Sequence, residues 1–525
     1  MDFMTSAVRW PFDRAERALG TIFPAQWNPL LNLGALGFFF YWIITASGIY
    51  VYIFLDTGIE QAYASIEYMT HDQWYAAGIM RSLHRYASDA LIVVMLLHLL
   101  REFGMGRFRG ARWFSWVTGI VVMVMIYVSG ISGYWLVWDK LAQYVAIVTT
   151  EWLDWLPIFG EPVARNFLSP VMLDNRFFTL MIFMHIAVPL IALAVLWIHL
   201  QRVVKPRINP PRGLALGAFL SMLGLSLIYP AVSQAPADLA KVPGEVGLDW
   251  FYLPLYPLFE NWPGAVTWGG GICLLVIMLA IPFLPTMKRP PAAVVDLANC
   301  NGCRRCLNDC PYEAISMIAR KDERPFEAQP EVDASLCVAC GLCAGSCPTS
   351  MPFRRRAGLS PGIDLPDFTM SALRDQVETA ASKLSGSNRL MVFGCENSLP
   401  AGKMASEQSA VILLRCIGQL PPSFIDYVFS NKLADGVVLT GCRENACHAR
   451  FGISWTDARL AGERDPHLRR RVPRERIKTI WCGAGGEAEF ARSIEQFRQS
   501  LSALPAMAPP RQTPSAPEPQ EPAHA

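Results

Sequence analysis

Long apolar segments separated by short polar stretches make up the first part of the chain. Six of these segments are long enough to cross a bilayer as a helix, which takes about 20 mainly apolar residues. They cover residues 33–54, 80–103, 114–134, 177–201, 214–232 and 266–285. Beyond residue 287 the apolar runs become short and alternate with polar ones. The pattern therefore predicts a membrane domain over residues 33–287, followed by soluble domains.

Four histidines interrupt these apolar segments in two pairs of equal spacing. His84 and His98 are 14 residues apart, and so are His185 and His199. A helix rises about 1.5 Å per residue, so each pair returns to nearly the same face about 21 Å further along. A single membrane histidine is often a packing contact, but matched pairs of costly ionisable groups indicate function. Two such helices side by side predict two stacked bis-histidine sites, each able to hold one haem iron.

Glycines repeat the same spacing in two other apolar segments. Gly34 and Gly48 are 14 residues apart, as are Gly119 and Gly133. A flat macrocycle between helices requires close backbone approach, which glycine permits. Ordinary packing of small residues between membrane helices is the alternative explanation. The coincidence with the histidine period favours the haem interpretation.

Charges in the loops predict the orientation of the membrane domain. Residues 101–113 and 202–213 are rich in arginine, whereas residues 55–79 carry acidic residues and no lysine or arginine. Basic loops lie on the cytoplasmic side. We therefore expect both termini in the cytoplasm, including an amphipathic segment 1–32 without a cleavable signal peptide. The net charge of +2 over 525 residues implies no polyelectrolyte partner such as nucleic acid.

Residues 25–287 resemble the cytochrome b family of the bc and b/f complexes. The resemblance rests on RSLHRYASDALIVVMLLHLLR (81–101), GYWLVWDK (133–140) and NRFFTLMIFMHIAVP (175–189). It implies that Arg81 binds a haem propionate and that Arg176 is in register with the family's fourth helix. It also implies a homodimer in a bacterial cytoplasmic membrane. No cysteine lies near Gly34, so the extra covalent haem of photosynthetic relatives is not supported.

A second stretch, LDWFYLPLYPLF (248–259), resembles the family's outer quinol-site motif. The resemblance implies catalytic roles for Asp249, Trp250 and Tyr252, with Asp249 able to accept a quinol proton. Leu248 and Phe251 depart from the motif. A helix cap is the alternative role for the Asp249 carboxylate.

Two cysteine runs follow the membrane domain, each with the pattern C-x2-C-x2-C-x3-C-P. They are Cys300, Cys303, Cys306 and Cys310, and Cys337, Cys340, Cys343 and Cys347. This pattern is typical of bacterial ferredoxins with two 4Fe–4S clusters, in which the fourth cysteine of each run ligates the other cluster. Zinc is the alternative metal. We therefore expect an α+β ferredoxin domain over residues 293–353.

After a Pro- and Gly-containing linker, 354–386, apolar runs again alternate with helical patterns. Predicted strands cover residues 389–395, 410–416, 435–442 and 476–482, and predicted helices cover 422–434 and 486–501. Strand–helix alternation favours a small parallel α/β domain over residues 388–502. Each strand ends at a cysteine, and such ends gather along one edge of the sheet. The Pro/Ala-rich tail 503–525 is expected to be disordered.

DGVVLTGCRENACH (435–448) and RCIGQL (415–420) resemble the delta subunit of methyl-viologen-reducing hydrogenase. The resemblance implies one 2Fe–2S cluster with Cys395, Cys416, Cys442 and Cys447 at the family's cysteine positions. GCENS (394–398) lacks the second cysteine usual there, which leaves Cys482 as a substitute ligand or a spare thiol. Buried structural thiols are the alternative. His448 is expected to support the fold rather than to bind metal.

The chain is thus predicted to be a multi-domain fusion of an all-α membrane helix bundle, a ferredoxin domain and a small α/β domain. We expect electrons to pass from a cytoplasmic partner through 2Fe–2S and 4Fe–4S clusters to two b haems and the membrane quinone pool. No Gly-rich nucleotide fingerprint is present, so a flavin or NAD(P)H site should lie on a partner. That partner is expected to resemble a heterodisulfide-reductase or NAD(P)H-dehydrogenase subunit. Quinol oxidation with inward flow or bifurcation, and a non-conducting membrane anchor, remain as alternatives.

Overall fold

The computed structural model forms two compact units, residues 1–287 and 288–525. The described residues are 2–158, 160–167, 175–201, 206–284, 290–353, 359–398, 405–443, 446–483 and 486–505. Part of the basic stretches predicted to face the cytoplasm, residues 202–205 and 285–289, lies outside them. Residues 506–525 of the predicted tail lie outside them as well.

The regular elements of the first unit, within its described residues, are helices. Its helices are α1 (Asp2–Gly20), α2 (Leu33–Phe54), α3 (Ala62–His71), α4 (Ile79–Gly104), α5 (Trp113–Trp135), α6 (Lys140–Asp154), α7 (Asn175–Gln201), α8 (Arg212–Ile228), α9 (Tyr256–Asn261) and α10 (Gly264–Ala280). Five stretches are long and apolar enough to cross a membrane. They are Leu33–Phe54, Trp74–Gly104, Trp113–Trp135, Phe178–Gln201 and Gly264–Phe283.

The segment predicted as a further span, 214–232, forms the shorter helix α8 of 17 residues. At about 1.5 Å per residue this helix is about 26 Å long, less than the hydrocarbon thickness of about 30 Å. Prolines set both ends. Pro211 precedes the first helical residue, and Pro230 forces Tyr229 out of the helical conformation, to φ −135° and ψ 76°.

Two helix pairs form the centre of the first unit. Helix α2 packs along α4, and α5 packs along α7, while α4 also contacts α5. The apolar core between them includes Leu36, Phe40, Leu91 and Ile126, all at least nine-tenths buried. This arrangement places the helices that carry the paired histidines, α4 and α7, each against a helix that carries the paired glycines.

The second unit begins with two short antiparallel strand pairs. They are β1 (Val294–Val295) with β4 (Ile363–Asp364), and β2 (Ile315–Ala319) with β3 (Ala328–Val332). Two one-turn helices, α11 (Arg305–Asp309) and α12 (Leu342–Ser346), each follow a residue in the left-handed region, Arg304 at φ 63° and Gly341 at φ 77°. The two cysteine runs therefore have the same local path, a tight loop that leads into a short helix.

A parallel four-stranded sheet completes the second unit. Its strands β5 (Leu390–Cys395), β6 (Ser409–Leu414), β7 (Gly436–Thr440) and β8 (Ile477–Ile480) lie in the order β6–β5–β7–β8. The helices are α13 (Met370–Ser382), α14 (Pro422–Ser430), α15 (Gly452–Ala461) and α16 (Glu487–Ser502). The four predicted strands are all present. Helix α13 lies within the segment 354–386, expected as a linker, and buries Met370, Leu373 and Val377 in the core.

Candidate redox sites

The structure brings the membrane histidines together across α4 and α7. The ring centroids of His84 and His185 are 6.2 Å apart, with the ring planes at 65°. Two imidazoles that coordinate one metal from opposite sides, with bonds of about 2 Å, have centroids on the order of 6 Å apart. His98 and His199 lie on the same two helices, each 14 residues further along the chain. The first pair thus has the spacing of a bis-histidine site, and the second pair repeats its placement on α4 and α7.

The predicted glycines face the histidine rings directly. A Cβ atom on Gly48 would lie 2.8 Å from Cε1 of His84, and one on Gly133 would lie 3.0 Å from Cε1 of His185. Real Cβ atoms essentially never come as close as 2.8 Å, and 3.0 Å is tighter than most Cβ contacts, so a larger residue would displace the His84 ring and crowd the His185 ring. The glycines therefore create room for the ring itself, in addition to the close helix approach expected from the sequence.

The other pair is arranged in the same way with slightly more room. A Cβ atom on Gly119 would lie 3.3 Å from Cε1 of His199, and one on Gly34 would lie 3.5 Å from Cε1 of His98. All four glycine positions of the 14-residue repeat thus meet the four histidines of the other 14-residue repeat.

Oxygen atoms of the glycine-bearing helices engage the Nδ1 atoms of three histidines. They are Ile44 O at 2.9 Å and Ser47 Oγ at 3.3 Å for His84, Ser129 O at 3.0 Å and Ser132 Oγ at 3.1 Å for His185, and Thr118 Oγ1 at 3.0 Å for His199. An Nδ1–H that donates to a carbonyl fixes the ring and leaves Nε2 free to bind a metal. The histidine pairs therefore fit haem iron. The sequence signal for these contacts was a Ser or Thr directly before Gly48, Gly119 and Gly133, which the sequence analysis did not use.

Arg81 and Arg176, both expected near a haem, have different surroundings. Arg81 is buried one turn before His84 and donates to Thr70 Oγ1 and, over 2.9 Å, to Ser233 Oγ. Arg176 is exposed in the first turn of α7. The structure therefore buries Arg81 near His84 and leaves Arg176 at the surface.

An arginine that the sequence analysis did not single out binds the Asp249 carboxylate. The Arg85 guanidinium, in the residue after His84, forms ion pairs with both Asp249 and Asp89. The Asp249 side chain is only 6% exposed, although it lies 164 residues from Arg85 in the chain. Asp249 Oδ1 also accepts from the Phe251 backbone N–H over 2.8 Å, as in a local turn. The carboxylate thus combines the cap-like contact with a buried ion pair.

The other two residues of this motif differ from each other. The Tyr252 hydroxyl lies 2.9 Å from Ser88 Oγ, and its ring packs on Gly130 so closely that a Cβ there would lie 2.1 Å from Cε1. Tyr252 is 1% exposed, and burial raises the pKa of its phenol. Trp250 is 69% exposed. Asp249 and Tyr252 therefore meet the same helix, α4, whereas the structure does not bring the Trp250 side chain into that cluster.

The eight ferredoxin-type cysteines line two cavities. The lining of the first cavity includes Cys300, Cys303, Cys306 and Cys347. The lining of the second cavity includes Cys310, Cys337, Cys340 and Cys343. The last cysteine of each run thus lies in the cavity of the other run, as the pattern predicts.

The chemistry of these thiols fits polynuclear clusters. Burial raises the pKa of the Cys306 and Cys340 thiols to about 12, so bare thiolates there are disfavoured without a cation. Within the described ranges, no three His, Cys, Asp or Glu side chains converge on a single metal ion. Sulfurs spread around a cavity suit a cluster with several irons, each of which takes one thiolate.

A third set of four cysteines lies at the carboxyl edge of the parallel sheet. We name it the C-terminal thiol ring: Cys395, Cys416, Cys442 and Cys447. Hydrogen bonds from Cys416 and Cys442 lower the pKa of both Cys395 and Cys447. Gly452 allows this approach, because a Cβ there would lie 2.2 Å from Cys416 Sγ. A ring of buried thiols that are joined by hydrogen bonds fits a small iron–sulfur cluster.

Cys482 and His448 have other surroundings. Cys482 is buried, and burial raises the pKa of its thiol to about 11, but its bonding partner is Thr440 rather than a thiol of the ring. His448 is half-buried beside Cys447 in the chain. The structure thus brings together the four cysteines named from the resemblance without Cys482.

Comparison with known families bears out all three resemblances. Residues 19–206 match the model of cytochrome b/b6/petB, residues 299–351 match a 4Fe-4S dicluster domain, and residues 390–505 match the delta subunit of methyl-viologen-reducing hydrogenase. Cytochrome b of Cyanidium caldarium is 23% identical over 287 residues, which cover 50% of this chain and 74% of that protein. Cytochrome b6 of Porphyra purpurea is 27% identical over 192 residues, which cover 36% of this chain and 87% of that protein.

Among solved structures, a hyperthermophilic respiratory Complex III matches 49% of this chain and 75% of its own, with 21% identity and a TM-score of 0.39. The sequence matches and the five apolar spans agree on the class of protein. The chain is a multi-pass membrane protein that joins a cytochrome b-like segment, a 4Fe–4S dicluster segment and a segment similar to the hydrogenase delta subunit, as expected for an electron-transfer subunit.

Proposed function

We propose that the chain relays electrons from a cytoplasmic flavoprotein to a membrane quinone. The observation that carries the proposal is the gathering of every predicted ligand set. The histidines form two pairs within the spans, the eight ferredoxin-type cysteines line two cavities, and the remaining four close into a ring. A chain that served only to anchor other proteins would not need these five sets.

The proposed cofactors follow from these sets. His84 with His185, and His98 with His199, would each hold one haem b. The first and second cavities would each hold a 4Fe–4S cluster, and the C-terminal thiol ring would hold a 2Fe–2S cluster. When bound, these groups supply one-electron oxidation and reduction. The chain's own residues would hold them and set their spacing.

The partners are inferred from what this chain does not encode. The sequence carries no Gly-rich dinucleotide fingerprint, so we place the flavin or NAD(P)H site on a separate subunit. The resemblance of residues 390–505 to a hydrogenase delta subunit supports a partner of the heterodisulfide-reductase or NAD(P)H-dehydrogenase type. We further propose a homodimer in a bacterial cytoplasmic membrane, with both soluble domains on the cytoplasmic side.

The Asp249 cluster supports a second candidate direction. A buried carboxylate that pairs with Arg85, the residue after His84, is suited to accept a proton from a quinol. Quinol would then be oxidised near Asp249 and electrons driven inward to a low-potential cytoplasmic acceptor. Both directions use the same ligand sets, so the direction must be measured.

The test uses the purified complex and the haem α-band as the reporter. NADH, NADPH and reduced ferredoxin are offered in turn, with oxidised quinone, and quinol is offered in a separate experiment. Reduction of the haems by one cytoplasmic donor, followed by quinone reduction, is the expected result. Haem reduction by quinol but by none of the donors would replace it with inward flow. Absence of a haem α-band in the purified protein would overturn both relays and leave the anchor.

A further inference from the structure

The ferredoxin-type segment and the C-terminal thiol ring share one buried core. The core that contains Cys416, Cys442 and Cys447 also contains Leu342 and Ala344 of α12, with Cys340 packed against it. Cys340 lines the second cavity, so this cavity is the one that approaches the ring.

The backbone of α12 lies in close contact with the backbone of the loop that carries Cys416. A Cβ on Gly345, in α12, would lie 2.2 Å from the carbonyl oxygen of Gly418, two residues after Cys416. A Cβ on Gly418 would in turn lie 3.1 Å from Cα of Gly452. Glycine at these positions leaves no side chain between α12 and the loop that carries Cys416.

A buried arginine bridges the same two segments. Arg459 is 1% exposed; it donates to Asp309 Oδ2 over 2.6 Å and to the Gly418 carbonyl over 2.8 Å. Asp309 precedes Cys310, another residue of the second cavity, and is 3% exposed. Because a buried charge is costly unless paired, this contact is expected to hold both segments in one geometry. Arg464 also binds Asp309, from a partly exposed position.

From these contacts we infer that electrons pass between the C-terminal thiol ring and the second cavity, and that Arg459 is the positioning residue for this transfer. The inference rests on the proposed cofactors but not on the donor, the quinone or the direction of flow. In the quinone-reducing direction, one electron leaves the centre held by the ring and is accepted by the centre in the second cavity. The first is oxidised and the second reduced by one electron, with no bond made or broken. The flavoprotein is the reductant and quinone the final oxidant.

The first experiment measures magnetic interaction between centres in the dithionite-reduced full chain by electron paramagnetic resonance. Cys337→Ser should remove the centre of the second cavity and abolish the broadening and fast relaxation of the ring's signal. Cys303→Ser should remove the centre of the first cavity and leave that broadening in place. The reverse pattern, or a ring signal without broadening in the unmodified protein, would overturn the assignment.

The second experiment tests Arg459 and the close contact separately. Arg459→Met and Gly345→Ala should both weaken the broadening while iron content stays unchanged, and Arg459→Lys should restore part of it. Arg305→Met is the matched control, because Arg305 binds Asp465 over 2.7 Å across the same two segments but from a partly exposed position. Unchanged broadening in both Arg459→Met and Gly345→Ala would overturn the positioning role. If the unmodified protein showed the broadening but did not reduce quinone, the result would instead count against the proposed function.

Discussion

Each of the four membrane histidines faces a glycine on the neighbouring helix. At these positions a single added methyl group is expected to have a large effect. The tightest contact is at Gly48, where a Cβ would come within 2.8 Å of the His84 ring. The ring cannot simply turn away, since Nδ1 is held by the Ile44 carbonyl. The effect of an added methyl group should therefore fall on the imidazole and on what it ligates.

Gly48→Ala is predicted to lower the haem content from about two to about one per chain, because the displaced His84 no longer opposes His185. Haem is measured by the pyridine haemochrome assay on purified protein. Gly217→Ala is the matched control, since Gly217 lies in helix α8 with no atom within 4 Å of its Cβ position. Equal haem content in the two variants would contradict the prediction.

Asp249 provides a second prediction at this scale. Asp249→Asn keeps the shape of the side chain but removes the base, so quinol-dependent reduction of the haems should slow by about 10²-fold, as for loss of a general base. The rate is followed at the haem α-band after rapid mixing with quinol. Asp238→Asn, an exposed carboxylate on the same loop, should have no effect. A normal rate in Asp249→Asn would contradict the role as a base and leave Asp249 with the role of a local cap.

The sequence predicted these residues unevenly. Fixed spacing along helices was enough to pair histidines with histidines. It could not show that Arg85 binds Asp249, because that contact joins positions 164 residues apart through the fold. The exposed position of Trp250 was equally inaccessible, since a motif names residues but does not give their orientation.

At the scale of elements, the crossed cysteine runs are the most specific arrangement. Each run supplies three cysteines to one cavity and its last cysteine to the other. The one-turn helices α11 and α12 account for this exchange, because the last cysteine of each run directly follows the end of its helix. The prediction of this exchange came from the cysteine spacing in the sequence alone.

Cys310→Ser and Cys340→Ser are predicted to remove the same 4Fe–4S signal, and Cys347→Ser the other one. Each substitution should lower iron by about four atoms per chain, since each cluster needs four thiolates. Iron analysis and electron paramagnetic resonance of the reduced protein check this. Cys482→Ser serves as the control and should change neither 4Fe–4S signal nor the signal of the thiol ring. If Cys310→Ser and Cys347→Ser removed the same signal, the crossed arrangement would be wrong.

Removal of iron is predicted to unfold residues 290–353. The apolar cluster they contribute to has seven buried residues, of which two are Cys306 and Cys343 and two, Ile363 and Leu365, lie outside the segment. A segment of this size with so small a core depends on its metal for stability. Oxidation of the protein and chelation of its iron should therefore make this segment sensitive to trypsin. Mass spectrometry of the fragments detects the cleavage. The haem α-band of the same sample is the control and should persist. A segment that resists digestion without iron would contradict the prediction.

Helix α8 shows where element prediction failed. Hydropathy alone extended the segment to residue 232, but Pro230 ends the helix at Ile228. Composition measures how apolar a stretch is and is insensitive to a single restrictive residue. In contrast, the four strands of the parallel sheet were predicted because β-branched runs and flanking polar residues agreed.

At the scale of the whole molecule, the chain is a fusion of segments that match three separate families. The sequence predicted this organisation because each segment has its own chemical signature: paired histidines, repeated cysteine runs, and cysteines at strand ends. The close packing of α12 on the Cys416 loop had no such signature. It depends on glycines and one buried arginine whose roles appear only in three dimensions.

The repeated histidine–glycine arrangement has a consequence for energetics. Each proposed haem position has two imidazoles as ligands, with carbonyl and hydroxyl contacts behind His84 and His185 and a hydroxyl contact behind His199. Two identical ligand types do not by themselves make one position easier to reduce than the other. A difference in midpoint potential between two haems held there would therefore depend on these contacts and on the charges around each pair. Those are Arg85 and Asp89 beside His84, and Arg101 and Glu102 beside His98.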